Sequence, residues 1–169
     1  MTRCYLSIGS NIEREASIAS GLKALEHHFG CLILSSIYES APVGFQGDAF
    51  YNMVAGFDTD LEIKALAKTL RDIEIANGRP LDSKKFSSRK LDLDLILYGN
   101  AVINDDSLQI PRSDIERYAF VLEPLAEIAP TLIHPVLQLS IADLWQRMPK
   151  DGLQQQKIDA HETRKSLLA

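Results

Sequence analysis

Cysteine is scarce: Cys4 and Cys31 are the two in a chain of 169 residues. A disulfide framework is therefore not expected, and a reduced, cytoplasmic protein is. Both thiols read as small core residues. No apolar run approaches the roughly 18 residues of a membrane-crossing helix. Met1 to Tyr5 carries one basic residue and no long apolar core follows, so a secretory leader is not expected either. Basic charge is not in excess. Lys and Arg total 18 against 23 Asp and Glu, a net charge of −5, which argues against a general nucleic-acid binder while leaving room for a local basic pocket. A Walker-type glycine-rich phosphate loop is missing, as is a Ser-His-Asp pattern. His27, His28, His134 and His161 lack metal-ligand spacing.

What is present is ordinary globular composition, with 46% hydrophobic and 24% charged residues. The length fits one domain, read as residues 1–149. From Pro149 the composition turns polar, and 150–169 reads as a weakly ordered or partner-docked tail. Residues 3–8 read as a strand. Ser10 and Glu13 fit a capping box opening a helix whose apolar stripe is Ile18, Leu22, Leu25 and Phe29, stopped at Gly30. Residues 32–39 and 50–57 read as strands flanking a Pro/Gly loop. Asp60 can cap a second helix with Ile63, Leu66, Ala67, Leu70 and Ile73 inward, ended by Asn77-Gly78. Residues 91–98 read as a fourth strand. The order is the α+β, ferredoxin-like βαββαβ core, with helices on one face of an antiparallel sheet. A short strand near 101–103, an extended piece ending at Pro111, and C-terminal helices over 119–128 and 140–148 follow.

Two features carry chemistry. In Leu91-Asp92-Leu93-Asp94-Leu95, strand alternation puts Asp92 and Asp94 on one face, about 6–7 Å apart. Carboxylates this close repel, and Mg²⁺ relieves the repulsion while keeping sites for phosphate and water. A solvated polar face is the plain alternative. The second feature is the aperiodic stretch from Arg79 to Lys90, with Arg79, Lys84, Lys85, Arg89 and Lys90. Loops this long in a small domain are usually functional or disordered. Cations beside a carboxylate pair suit a polyphosphate and point to phosphoryl transfer, which is mostly positioning and charge neutralisation. A solvated basic loop is the alternative here. Glu74 shares the inward stripe of the second helix, suited to a ligand or to a salt bridge with Arg79 or Lys64. Asn52, in a strand among aromatic residues, can read a heterocycle or bond across strands.

The motifs Ile8-Gly9-Ser10-Asn11, Pro42-Val43-Gly44, Asn52, Gly78-Arg79, Arg89-x-Leu91-Asp92-Leu93-Asp94-Leu95, Tyr98-Gly99-Asn100 and Phe120-Val121-Leu122-x-Pro124-Leu125 occur in that order. In this the chain resembles the 6-hydroxymethyl-7,8-dihydropterin pyrophosphokinases of folate biosynthesis, over about residues 4–145. The resemblance implies the same ferredoxin-like core, with ATP as co-substrate and two Mg²⁺ ions held by Asp92 and Asp94. It assigns catalysis to Asp92, Asp94, Arg79 and Arg89. The pterin falls to Ser40, Ala41, Pro42, Val43, Phe50, Asn52 and Phe120. The nucleotide falls to Glu74, Lys85 and Arg89, with Arg112 and Arg117 as nucleotide-side candidates at or beside positions where the chain departs from the family. It also implies a mobile catalytic loop that closes over both substrates. Partners are small molecules, with neither nucleic acid nor membrane.

The chain departs from the family pattern at four places. Phe86-Ser87-Ser88-Arg89 replaces Trp-Gly-Pro-Arg, and Leu81 stands for a loop arginine. Arg112 occupies a histidine's place, and Tyr118, beside Arg117, an arginine's. These departures motivate a second reading, a pterin-binding paralogue with a different donor or substrate, or without turnover. A non-enzymatic interaction domain on the same fold is the third.

Overall fold

The central strand is β1 (Thr2–Ser10), which pairs antiparallel on one side with β4 (Phe50–Thr59) and on the other with β5 (Asp92–Tyr98). The computed structural model describes residues 1–41, 47–78, 90–151, 153 and 155–158. Along β1 the side chains alternate between two cores. Cys4, Leu6 and Ile8 enter one core with α1 (Arg14–Phe29) and α2 (Ile63–Ala76), while Tyr5 enters a second core on the opposite face. Leu66, Leu70 and Ile73 of α2 are buried as their spacing predicts. Each such side chain contributes about 1.5–3 kcal/mol on burial. Burial also pushes the Cys4 thiol up to about 12, consistent with an inert core residue. Cys31 is a correction: it is exposed in the turn after α1.

The sheet order is β5-β1-β4-β3-β8, where β3 is Tyr38–Ser40 and β8 is Gln155–Lys157. The first four of these, with the two helices, form the ferredoxin-like core. The strand expected over 32–39 is split, because only β2 (Ile33–Leu34) and β3 pair with β4. Between them Ser35 takes over a backbone role: its N–H donates to the Val54 carbonyl, and its Oγ accepts from the Val54 N–H at 2.9 Å. Serine hydroxyls compete with ladder bonds in this way. The capping box at Ser10 does not form. Strand pairing extends through Ser10, opposite Tyr51, and Ser10 Oγ donates to the Ile12 carbonyl. Glu13 precedes the helix in a left-handed conformation, φ 47°. Asp60 does not cap α2 either: Glu62 holds the N-cap position, without a side-chain bond.

After β5 come the hairpin β6 (Ile103–Asn104) and β7 (Gln109–Ile110), a short α3 (Asp114–Arg117), α4 (Ala119–Ile128) and α5 (Ile141–Arg147). Ser140 caps α5, its Oγ accepting from the Asp143 N–H at 3.1 Å. Val121, Leu122 and Leu125 of α4 and Ile141 and Leu144 of α5 bury Tyr5, Val54, Ile96 and Leu97. The sheet is thus covered on its second face too, but only toward one end. The ends of β1, β4 and β5 that carry Gly9, Asn52 and Asp92 lie beyond that cover, and the candidate site lies there. Among the described residues no helix is long and apolar enough to cross a membrane.

Candidate active site

Residues opposite each other in an antiparallel ladder share a face. The register pairs Tyr38 with Asn52, Asn52 with Gly9, and Gly9 with Asp92. One row therefore crosses four strands, and the next row pairs Val54 with Ser7 and Ser7 with Asp94. Asn52 stands two strands from Asp92, about 10 Å at the usual strand spacing. Asp92 and Asp94 are half-buried while Leu93 and Leu95 are buried on the other side, the division expected from alternation.

Asn52 is buried, and its Nδ2 donates to Ser40 Oγ at 2.7 Å. That bond fixes the amide within the row, flanked by Phe50. Gly9 is the low point between amide and carboxylate. A Cβ there would stand 3.1 Å from Asn52 Oδ1 and 3.6 Å from Phe50 Cδ1. Gly9 and Ser7, bare and small, carry no signal of their own in the sequence, and their place in the rows gives them meaning.

Tyr38, at the far end of the row, is held by α4. Its hydroxyl donates to Glu127 at 2.9 Å, and Glu127 also accepts from the Ser36 N–H and hydroxyl. Burial, helped by the Glu127 bond, raises the Tyr38 pKa, so the phenol stays protonated. In the first turn of α4, Phe120 is half-buried and stacks on Tyr118, with centroids 4.9 Å apart. An aromatic pair therefore occupies the stretch where the family pattern has an arginine.

On the carboxylate side, Arg112 follows β7 and donates its backbone N–H to the Ile96 carbonyl of β5. Its Nη2 donates to Asp114 Oδ2 at 3.3 Å, and its buried Nε has no hydrogen-bond partner among the described residues. Burial works against the charge, but Asp94, Asp114 and Asp92 outweigh it and raise the Arg112 pKa. A permanent cation thus faces the aspartate pair. Glu74 is buried at 4% exposure, and its Oε2 accepts from the Leu93 N–H at 2.9 Å. It grips the backbone between the two aspartates. Ala41 lies exposed at the end of β3, and Arg117 is exposed in the last turn of α3. Pro42, Val43, Arg79, Lys84, Lys85, Phe86 and Arg89 lie outside the described residues.

The donor set can be tested against a metal. Among the described residues there is no group of three or more His, Cys, Asp or Glu side chains able to hold an ion. Two carboxylates on one face remain. That suits a hard ion completing its shell with phosphate oxygens and water, and would not satisfy a closed structural site.

The model of the 7,8-dihydro-6-hydroxymethylpterin-pyrophosphokinase family matches residues 5–130. A 2-amino-4-hydroxy-6-hydroxymethyldihydropteridine pyrophosphokinase of Haemophilus influenzae is 36% identical over 143 residues, covering 82% of this chain and 89% of its own. The folic acid synthesis protein FOL1 of Dictyostelium discoideum is 34% identical over 150 residues, covering 88% of this chain but 23% of that much longer protein. A solved wild-type HPPK-DHPS of Plasmodium falciparum aligns with a TM-score of 0.69 at 13% identity, over 86% of this chain and 44% of the solved one. At that identity the last comparison supports the fold alone. The chain spans about a fifth to a quarter of the long folic acid synthesis proteins and under half of the solved HPPK-DHPS chain. By the family match and the full-length bacterial relatives together, the chain belongs to the 7,8-dihydro-6-hydroxymethylpterin-pyrophosphokinase family.

Proposed function

We propose that this chain transfers the pyrophosphoryl group of ATP to the hydroxymethyl oxygen of 6-hydroxymethyl-7,8-dihydropterin, releasing AMP. The observation that carries the reading is the row Tyr38–Asn52–Gly9–Asp92 on one face of the sheet. It sets an anchored amide and a carboxylate about two strands apart across a glycine floor, a spacing of about 10 Å. Asn52 reads the pterin edge with backbone groups of Ser40, Ala41, Pro42 and Val43, and Phe50 and Phe120 supply the stacking faces. The hydroxymethyl oxygen bonds to the β-phosphorus, the bond from that phosphorus to the α,β-bridging oxygen breaks, and the bridging oxygen leaves with AMP. The hydroxyl proton is lost to water.

Asp92 and Asp94 hold two Mg²⁺ ions in this reading. When bound, they neutralise charge on the polyphosphate. Arg112 sits beside that pair with a buried donor unpaired among the described residues, suited to a phosphate oxygen. Arg79, Lys85, Arg89 and Arg117 complete the cationic side, and Glu74 serves the nucleotide through the strand it grips. Residues 1–149 form the catalytic domain in this reading, and β8 of the C-terminal segment adds a strand to its sheet. A cytoplasmic location accompanies this reading, resting on cysteine usage.

The test is a direct assay with Mg-ATP and the pterin, following AMP and pterin diphosphate. One-for-one formation is expected. Asp92→Ala and Asp94→Ala should each lower turnover by about a hundredfold or more, on the scale of losing one electrostatic partner of the reacting phosphate. Circular dichroism should show both variants folded. Near-wild-type turnover in either one refutes the assignment.

A further inference from the structure

We infer that Gln155, in the polar C-terminal segment, is a positioning residue for the pterin subsite. The inference rests on the proposed function for the identity of that subsite. β8 pairs with β3, setting Gln155 opposite Ser40 and Lys157 opposite Tyr38. Facing residues of a ladder share a side, so Gln155 and Lys157 point toward α4. The contacts agree. Gln155 Nε2 donates to the Ala119 carbonyl at 3.1 Å and to Glu123 Oε1 at 2.8 Å. Lys157 Nζ lies 4.0 Å from Glu127 Oε2, one helical turn further along α4. The Ile158 N–H donates to the Ile37 carbonyl at 2.8 Å and extends the seam.

The seam therefore joins the two walls of the pterin subsite. On one side, Ser40 takes the Asn52 amide bond at 2.7 Å. On the other, Ala119 immediately precedes Phe120, which is stacked on Tyr118. Gln155 is the one residue of β8 whose side chain reaches the first turn of α4 while its backbone pairs with Ser40. Glutamine suits the task. Its amide supplies two donors at one nitrogen, a carboxylate supplies none, and asparagine is a methylene shorter. The bonds hold the ring-stacking wall at a set distance from the hydrogen-bonding wall. Without them the walls part slightly, and a planar ligand loses its fit on one side.

The test uses the full chain. Steady-state kinetics are measured with each substrate varied, and binding of the pterin without ATP is measured by calorimetry. For Gln155→Ala, the pterin KM and the pterin dissociation constant should each rise about three- to tenfold, the scale of one to two ordinary hydrogen bonds. The KM for ATP and kcat should stay within twofold. Gln155→Glu, which faces a carboxylate with a carboxylate, should rise further. Adding Glu123→Gln reverses the polarity of that bond and should recover part of the loss. An unchanged pterin KM and dissociation constant in Gln155→Ala overturns the inference. So does an equal rise in both KM values, which marks a general disturbance of the site rather than of the pterin walls. A wild-type chain that binds the pterin but makes no AMP refutes the transfer reaction, and the calorimetric arm still decides the role of Gln155. A wild-type chain that binds no pterin overturns both.

Discussion

Adding one methyl group to the floor of the site, Gly9→Ala, should separate binding from folding. The new Cβ would lie 3.1 Å from Asn52 Oδ1, 3.6 Å from Phe50 Cδ1 and 3.9 Å from the Tyr51 carbonyl. The first distance is a few tenths of an ångström too short, so the Asn52 amide must move. It cannot move freely, because its Nδ2 is tied to Ser40 at 2.7 Å. Folding should change little: replacing glycine stabilises by about 0.4–1 kcal/mol through the unfolded chain where the backbone allows it, offsetting much of the strain. Binding should suffer, since a displaced amide leaves a buried ligand group poorly paired, at about 1–3 kcal/mol. That is roughly a five- to 150-fold rise in the pterin KM. On the proposed function ATP approaches from the aspartate side, so its KM should stay within twofold. Steady-state kinetics with each substrate varied, alongside thermal melting, measure all three quantities. A pterin KM within twofold of wild type, or an equal rise in both KM values, would refute the geometry assigned to Gly9.

Two further predictions concern the scaffold. Glu127→Ala strands the hydroxyl of Tyr38 and the N–H of Ser36, residues 2% and 3% exposed, and should cost about 3 kcal/mol in urea unfolding. A loss under about 1 kcal/mol would show that water replaces the carboxylate. His134 is buried, accepts through Nδ1 from the Val136 and Leu137 N–H groups, and has its pKa lowered by burial. Its stabilising neutral form is fully present above the unfolded value of about 6.5. That contribution is lost as pH falls below 6.5 through the lower folded value. Melting temperature should therefore drop from pH 7 toward 5, and His134→Asn should flatten that slope; an unchanged slope in the variant would remove His134 as its source.

The fold is legible in the sequence where a local period coincides with a tertiary one. Leu91 to Leu95 alternates because Leu93 and Leu95 enter the core and Asp92 and Asp94 do not, so the carboxylate face was visible in five letters. It is hidden where pairing overrides a local signal. Ser10 and Glu13 read as a capping box, yet the ladder with β4 carries the strand through Ser10 and leaves Glu13 in a left-handed turn. Ser35 and Ser36 look like ordinary strand residues, but their bonds to Val54 and Glu127 split the strand. The cover on the second face was not visible, because α4 and α5 acquire meaning only against Tyr5, Val54 and Leu97. β8 was hidden for another reason. Its residues are polar because they meet Glu123 and Glu127 rather than a core, so no hydrophobic period marks them.

The grip of Glu74 on the Leu93 N–H has a consequence for solubility. β5 stands at the end of the sheet order, with β1 as its one strand neighbour among the described residues. Outer strands offer unpaired amides to any other extended chain, and intermolecular pairing there seeds aggregation. Here one of those amides is occupied by a carboxylate from the strand's own helix, and two more carboxylates stand on the strand itself. The strand proposed to meet the polyphosphate is thereby made a poor template for a second polypeptide.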